Sequence, residues 1–352
     1  MKKLFATSCW PYSRRPEHET RTSTGWLTMA PPNKIRGSLP PPWMFRQGAV
    51  YWMGDAQLRT QLPLLYKALG FYVKVYFALR PKADKLPFGK YLLYGIHSVE
   101  KRRPAQGFHV VQIGDYQVCL DLLDARFIQV VHDLTRQKSS HPLQYFIGSG
   151  DTLIDVGANQ GSYSVVASHL VGATGQVISF EPQPRLAYAL RKTLANAPAS
   201  FEVHDIALGE RTAESNFLIP ESYSGMAGVS PDFSGRHEHT KITVSMQTAD
   251  DFFDGRSIGG DVLIKLDIEG GELNFLRGAW DFIGRSRPRL LMELNPEAAR
   301  ASGTDIETLV REVMDLGYTS YAYLDEWPSV RTLPDLEYTS LTDIVLLMPE
   351  HQ

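Results

Sequence analysis

The sequence predicts an α/β fold from residue 151 onward, in which a mostly parallel sheet is covered by helices on both faces. Short apolar strands alternate there with amphipathic helical segments, and glycine-containing turns join the strands to the helices. Ligands of such sheets bind at the carboxyl ends of the strands, so function is expected in the turns that follow them.

Each element has a local signal in the sequence. HVVQIGDYQVCL (109–120) predicts a hairpin that turns at Gly114 and Asp115. The predicted strands that follow are TLIDV (152–156), QVISF (176–180), FEVHD (201–205), VLIKL (262–266) and RLLMEL (289–294), and the predicted helices are SYSVVASHL (162–170), PRLAYALRKTLANA (184–197) and DIETLVREVMDLG (305–317). The last helix is expected to start with a capping box of Thr304 and Glu307 and to stop at Gly317.

Composition predicts three segments. Residues 1–50 are rich in proline, arginine and serine and are expected to be a disordered arm. Residues 51–144 are expected to form an N-terminal helix and hairpin extension, and residues 145–352 the main domain. The apolar stretch 62–79 contains charges and a proline, which favours a helix packed on the domain or lying on a membrane surface over a membrane-spanning one.

The bulk numbers exclude several classes of protein. Of the 352 residues, 43% are hydrophobic and 21% are charged, as in globular proteins, and the net charge of −3 provides no basic field for a nucleic-acid partner. The two cysteines, Cys9 and Cys119, form neither a disulfide framework nor a zinc site. The apolar stretch LFATSCW near the N-terminus is shorter than a signal-peptide core, so we expect a cytoplasmic protein.

The first glycine turn, TLIDVGANQG (152–161), lets backbone approach a nucleotide-like ligand closely. Asp155 precedes Gly157 at the end of the strand, where it would repel a pyrophosphate but attract the ammonium and sulfonium groups of S-adenosylmethionine (SAM). The pattern therefore favours SAM over NAD as the cofactor.

Two acids after the next strands extend this pattern. Glu181 in ISFEP lies twenty positions after Gly161, at the end of the next strand, where its carboxylate can accept both ribose hydroxyls. The alternative is a capping glycine turn with an incidental surface glutamate. Asp205 could contact the adenine amino group or be a solvated turn residue.

Several segments together resemble the FkbM-type family of SAM-dependent methyltransferases over roughly residues 145–325. The segments are DVGANQGSYS, ISFEP, HDIALGE, IKLDIEGGELNFLRGA and PRLLMEL. The resemblance implies the Rossmann-like class I methyltransferase fold, a seven-stranded sheet of order 3-2-1-4-5-7-6 with an antiparallel seventh strand, and O-methylation, often of sugar hydroxyls. The SAM contacts that it implies are Asp155, Gly157, Asn159, Gly161 and Glu181.

In that fold IKLDIEGGE (264–272) follows the fourth strand and faces the methyl group. Asp267 could orient or deprotonate an acceptor hydroxyl, and Glu269 could bind the acceptor or a divalent cation. Alternatively, Asp267 could be an N-cap and Glu272 an acid in the first turn of a helix. We predict that Asp267 and Glu269 are catalytic and that Glu272 is structural. No residue is assigned as a metal ligand, and the sequence leaves metal dependence open.

Two further features are open to more than one interpretation. Lys265 and Glu293 interrupt neighbouring apolar strands, so they could form an ion pair or share a polar site beneath the pocket, or both could point outward. Residues 221–241 are rich in glycine and serine and are expected to be a mobile insertion that gates substrate. Its His237, Glu238 and His239 could serve as a metal site or base, but such residues are more often solvated.

The main functional hypothesis is a SAM-dependent O-methyltransferase that acts on a small-molecule or saccharide hydroxyl. A second is a SAM-binding scaffold without catalysis, and a third is a methyltransferase that acts on a macromolecule. Base N-methylation is disfavoured because no Asn/Asp-Pro-Pro-aromatic signature follows the fourth strand. Dehydrogenase chemistry is the least favoured alternative.

Overall fold

The computed structural model describes residues 95, 97–98, 108–136, 141–220, 224–228, 239–336 and 340–351. The predicted arm (1–50) and the apolar stretch 62–79 lie outside these residues. Among the residues that are described, no helix combines the length and the apolar character needed to cross a membrane.

Strands and helices alternate along most of the described chain. The strands are β1 Phe108–Ile113, β2 Tyr116–Asp121, β3 Thr152–Val156, β4 Gln176–Phe180, β5 Ser200–His204, β6 Ile206–Leu208, β7 Ala213–Pro220, β8 His239–Gln247, β9 Val262–Leu266, β10 Arg289–Leu294, β11 Ser320–Tyr323, β12 Arg331–Thr332 and β13 Thr342–Leu347. The α-helices are α1 Phe127–Arg136, α2 Ser162–Val171, α3 Pro184–Leu194, α4 Ala249–Phe253, α5 Glu272–Gly278, α6 Trp280–Ser286, α7 Pro296–Ala301 and α8 Ile306–Asp315.

The main sheet has eight strands in the order β12-β11-β13-β10-β9-β3-β4-β5. Within this sheet, β10, β9, β3, β4 and β5 run parallel to one another, and β13 is antiparallel to both β10 and β11. Numbered along the chain without the two-residue β12, this is the order 3-2-1-4-5-7-6. The predicted count of seven is exceeded because β12 adds a short edge strand to β11.

The central parallel strands β3, β4, β9 and β10 are largely buried on both faces, which explains their near-continuous hydrophobic runs. Leu153 and Leu263 belong to one apolar core, together with residues of α1, α2 and α3. Ile154 and Ile264 point to the opposite face and belong to a second core, with residues of α5, α6 and α8. Successive side chains of a strand point to opposite faces, so each strand supplies both cores.

The predicted hairpin is formed by β1 and β2, which pair antiparallel. It packs on the first core, to which Val118 and Leu120 contribute. The Cys119 amide donates to Thr193 Oγ1 of α3 at 2.9 Å. The apolar core therefore continues across the predicted boundary at residue 144, and the division into domains stays a prediction.

The predicted mobile insertion is wrong in part. Residues 239–241 begin β8, which pairs with β6 and β7 in a three-stranded sheet, and Ser224–Met226 form a 3-10 turn. Alternating burial explains why these residues form a strand. In β8, Val244 is buried against Phe217 of β7, while Thr243 and Ser245 on either side of Val244 are exposed. His237 and Glu238 lie outside the described residues.

The predicted capping box is also wrong. Asp305 is the N-cap of α8, and its side chain accepts from the Thr308 amide at 3.1 Å. Thr304 instead accepts from Ser302 Oγ at 3.0 Å. Gly317 follows the helix with φ +99°, as predicted for a stop signal.

Candidate functional site

A cavity of about 490 Å³ opens at the carboxyl ends of β3, β4 and β9. The sequence-predicted residues that line it are Gly157, Asn159, Glu181, Asp267 and Glu269. The other predicted site residues, although described, are outside the lining: Asp155, Gly161 and Asp205. The turns after three neighbouring parallel strands thus meet at one site, as the fold rule predicts.

Gly157 brings the turns after β3 and β9 into direct contact. Its φ is +81°, and a Cβ atom on it would lie 2.0 Å from the carbonyl oxygen of Asp267. Any larger residue would therefore push the two turns apart. The glycine is needed for this backbone contact as well as for access by a ligand.

Gly161 has a packing role, and its predicted contact with the cofactor stays a prediction. It is the N-cap of α2 with φ +82°, and a Cβ atom on it would lie 2.3 Å from Leu190 Cδ1 of α3. The glycine therefore permits close packing of α2 against α3. Of the two glycines in the motif, Gly157 lines the cavity.

Glu181 is 3% exposed and is held by backbone amides of the same wall. Its carboxylate accepts from the Asn159 amide at 2.8 Å and from the Gln183 amide at 2.9 Å. Burial raises the pKa of Glu181 to about 7, although these two hydrogen bonds favour the charged form. Each carboxylate oxygen keeps a further lone pair, so the predicted binding of ribose hydroxyls stays a prediction.

Asp155 lies beneath the cavity and is fully buried. One carboxylate oxygen accepts from Ser164 Oγ at 2.5 Å, and the other lies 4.0 Å from Lys265 Nζ without a hydrogen-bond donor. Burial raises the pKa of Asp155, and Lys265 opposes this effect. The predicted electrostatic attraction of a cationic cofactor by Asp155 would therefore have to act indirectly.

Lys265 lies between the buried Asp155 and Asp267, which lines the cavity. Its Nζ atom lies 2.9 Å from Asp267 Oδ2 and 4.9 Å from the centre of the Tyr163 ring. Within the described structure no direct ion pair with Glu293 forms, because Lys265 is in register with Leu291, two residues before Glu293. The alternative of a shared polar site is the better description, since Glu293 interacts with Asp267.

Asp267, Glu269 and Glu293 each place a carboxylate oxygen within 4.8 Å of the others. Burial disfavours ionisation of Asp267, but Lys265 and then Arg126 outweigh it, so the pKa of Asp267 is lowered. Asp267, and to a lesser degree burial, raises the pKa of Glu293 well above its usual value. Burial, Asp267 and Glu272 raise the pKa of Glu269 to about 8. Near neutral pH, Asp267 thus favours its anionic form and Glu269 its protonated form, while Asp267 and burial disfavour ionisation of Glu293. These three oxygens are also of the type that binds a divalent cation.

Glu269 is positioned by the turn after β10. Its φ is +51°, which is uncommon outside glycine, and its Oε2 accepts from Asn295 Nδ2 at 3.2 Å. The Asn295 Oδ1 atom also caps α7 by accepting from the Ala298 amide at 3.1 Å. The carboxyl group is therefore fixed by a residue that is itself held in place.

Glu272 and Asp205 have structural contacts. Glu272 accepts from the Gly270 amide at 3.2 Å and begins α5, which agrees with its predicted structural role. The alternative of Asp267 as N-cap is wrong, because Gly271 has that position. Asp205 pairs with Arg191, away from the cavity lining.

Arg126 and Ser224 are among the lining residues that the sequence interpretation missed. Arg126 lies in the turn before α1, and Ser224 lies in the 3-10 turn of the insertion. Neither belongs to a glycine motif or follows a strand of the main sheet. Only the neighbouring Gly-Ser composition around Ser224 indicated a loop near substrate.

Comparison with known proteins found one family model that matches part of the chain. Residues 155–320, just under half of the chain, match the family model described as the methyltransferase FkbM domain, which confirms the resemblance seen in the sequence. No curated protein matches the chain.

Three solved structures illustrate the structural similarity. A methyltransferase FkbM from Methylobacillus flagellatus has 19% identity and a TM-score of 0.36, over 63% of this chain and 54% of that one. The chain thus matches little more than half the length of that protein. Aeropyrum pernix fibrillarin with natively bound SAM has 13% identity and a TM-score of 0.34, over 62% and 74%. A SAM-dependent O-methyltransferase from Thermotoga maritima has 10% identity and a TM-score of 0.31, over 71% and 81%.

Proposed function

We propose that the protein uses SAM to methylate a hydroxyl of a small molecule or saccharide, because residues 155–320 match the family model of the methyltransferase FkbM domain. One observation supports the proposal most: a single cavity combines the close glycine turn, the buried Glu181 and the acidic turn after β9. A methyl donor held between these turns would present its methyl group toward Asp267 and Glu269.

The charge of the lining favours SAM over a dinucleotide. Glu181, Asp267 and Glu269 are carboxyl groups in the wall, and Asp267 is held in its charged form by Lys265. A pyrophosphate would meet this negative charge, whereas a sulfonium would be attracted by it. The preference for a cationic cofactor over a pyrophosphate, predicted from Asp155, would therefore depend on Asp267, which lines the cavity.

The two proposed catalytic residues divide the work. SAM, when bound, would supply the methyl group, and its sulfur would keep the electron pair of the broken carbon–sulfur bond. Asp267, anionic and fixed by Lys265, would orient the acceptor hydroxyl. Glu269, whose pKa is about 8, would accept the hydroxyl proton once it is ionised. Alignment and exclusion of water would supply the rest of the acceleration.

Calorimetry with the purified full chain tests the cofactor. We expect saturable binding of SAM and of S-adenosylhomocysteine, with no heat from NAD. Binding of NAD without binding of either sulfur compound would refute the proposal.

A labelled methyl donor tests the acceptor. The full chain is incubated with SAM radiolabelled at the methyl group and with saccharide or lipid-linked extracts, and labelled products are identified by mass spectrometry. We expect a methyl ether, whereas a methylated nitrogen or carbon would overturn the assignment of a hydroxyl acceptor.

A further inference from the structure

The turn between β2 and α1 forms part of the cavity wall, although it lies outside residues 155–320. Arg126, the last residue before α1, lines the cavity together with Asn159, Asp267 and Glu269. The turn that follows the N-terminal hairpin therefore places a guanidinium in the wall of a cavity whose other turns belong to the main domain.

Side-chain hydrogen bonds fix the start of this turn on the glycine loop. The Asp121 amide donates to Gln160 Oε1 at 2.9 Å, and Gln160 Nε2 donates back to the Asp121 carbonyl at 3.4 Å. The Asp121 carboxylate, 1% exposed, also binds the guanidinium of Arg185 in α3. The position of the turn is thus tied to the loop that follows β3.

A second set of hydrogen bonds fixes Arg126 itself. Asp124 Oδ1 accepts from the Arg126 amide at 3.0 Å and from the Ser224 amide at 3.1 Å. Asn159 Nδ2 then donates to Ser224 Oγ at 2.9 Å. These hydrogen bonds connect the backbone of Arg126, through Asp124 and Ser224, to Asn159 of the glycine loop.

The surrounding charges indicate which ligand group Arg126 suits. Arg126 lines the same cavity as Asp267 and Glu269, and its positive charge acts to lower the pKa of both carboxyl groups. The methionyl end of SAM carries an ammonium and a carboxylate side by side. A wall with a cation next to acids can bind both groups, and a guanidinium pairs with a carboxylate through two parallel hydrogen bonds.

We infer that Arg126 binds the methionyl carboxylate of SAM, so that the N-terminal hairpin contributes a cofactor contact that the methyltransferase domain alone lacks. The inference rests on the proposed function. An acceptor anion is the weaker match for Arg126, because it would bring no ammonium to offset the anionic Asp267 and because the backbone of Arg126 is tied to the glycine loop.

Three ligands distinguish this contact from a general effect on folding. SAM and S-adenosylhomocysteine contain the methionyl carboxylate, whereas 5′-methylthioadenosine lacks the whole amino-acid end. For Arg126→Gln we expect the dissociation constants of SAM and S-adenosylhomocysteine to rise about 10–100-fold, in line with loss of a charged hydrogen bond. The dissociation constant of 5′-methylthioadenosine should change less than about twofold, because this ligand has no carboxylate for Arg126 to bind. A change of that size is smaller than the effect of one lost charged hydrogen bond.

Two further variants complete the experiment. Arg126→Lys retains the charge and should recover part of the affinity for S-adenosylhomocysteine, and it replaces Arg126→Gln if that variant does not fold. Arg285→Gln, on the exposed side of α6, is the matched control and should bind all three ligands like the unaltered chain.

The outcomes separate the possibilities. Equal weakening of all three ligands by Arg126→Gln would make Arg126 structural and overturn the inference. Unchanged binding with a raised KM for the acceptor would assign Arg126 to the acceptor and also overturn it. Failure of the unaltered chain to bind any of the three ligands would instead refute the proposed function.

Discussion

Replacing Lys265 by Met should destabilise the protein in a way that depends on pH. Lys265 Nζ lies 2.9 Å from Asp267 Oδ2 and 4.0 Å from Asp155 Oδ1, and the residue is 7% exposed. At an effective dielectric constant of about 20, these distances correspond to attractions of about 6 and about 4 kcal/mol. Desolvation of the ammonium offsets several kcal/mol of this attraction. We therefore expect a loss of about 3–5 kcal/mol in the free energy of unfolding at pH 7, as for other broken buried ion pairs.

The sign of the pH effect follows from the two carboxylates. In the unaltered chain the pKa of Asp267 is lowered, so its contribution to stability is present above the unfolded pKa and is lost as the pH falls through the folded pKa. Without the cation, burial raises the folded pKa of both Asp155 and Asp267, so the variant gains stability as the pH falls from 7 to 5. The deficit relative to the unaltered chain should therefore shrink in acid.

Urea denaturation at pH 5, 6, 7 and 8 measures this deficit. Lys241→Met, at an exposed position in β8, is the matched control and should change the free energy of unfolding by less than about 0.5 kcal/mol. Adding Asp267→Asn to Lys265→Met should recover part of the loss, because it removes one unpaired charge. A deficit below about 1 kcal/mol, or one that is the same at all four pH values, would refute the reasoning.

Three further predictions concern the cavity. Gly157→Ala should lower the free energy of unfolding by about 2–3 kcal/mol more than Gly172→Ala and abolish SAM binding. Both glycines have positive φ, but a Cβ atom at 172 meets no atom within 4 Å, so equal losses in denaturation would contradict the contact with Asp267. Turnover should rise with pH as Glu269 ionises near its pKa of about 8, and Glu269→Gln should remove that rise, which an unchanged pH–rate profile would disprove. Asp267→Asn should lower turnover about 100-fold and SAM affinity less than about 10-fold; equal losses in kinetics and calorimetry would make Asp267 structural.

The location of the site could be predicted from the sequence because it depends on local signals. The apolar runs of β3, β4 and β9 are buried on both faces, and the glycine and acidic turns directly follow them. Strand periodicity and turn chemistry located these turns, and the resemblance to the FkbM-type family implied the strand order that brings Gly157, Glu181 and Asp267 together. Local sequence signals did not predict β11, β12 and β13 of the main sheet.

The remaining errors come from contacts between distant segments. Asp155 resembles a turn acid in the sequence, but it lies on the face covered by α2, where Ser164 and Lys265 bind it. The partner of Lys265 depends on the register of β9 with β10, which places Leu291 beside it. Register and helix placement are set by packing, and local sequence does not specify them.

The hairpin has a consequence for how the chain can be divided. Val118 and Leu120 cover the same apolar core as Leu190, and Arg126 closes the cavity from that side. A fragment that begins at residue 145 would lack the hairpin and Arg126. Leu190 would then be exposed to water, and the cavity would be open on that side. The limits of sequence similarity are therefore the wrong places to cut this chain for expression or domain exchange.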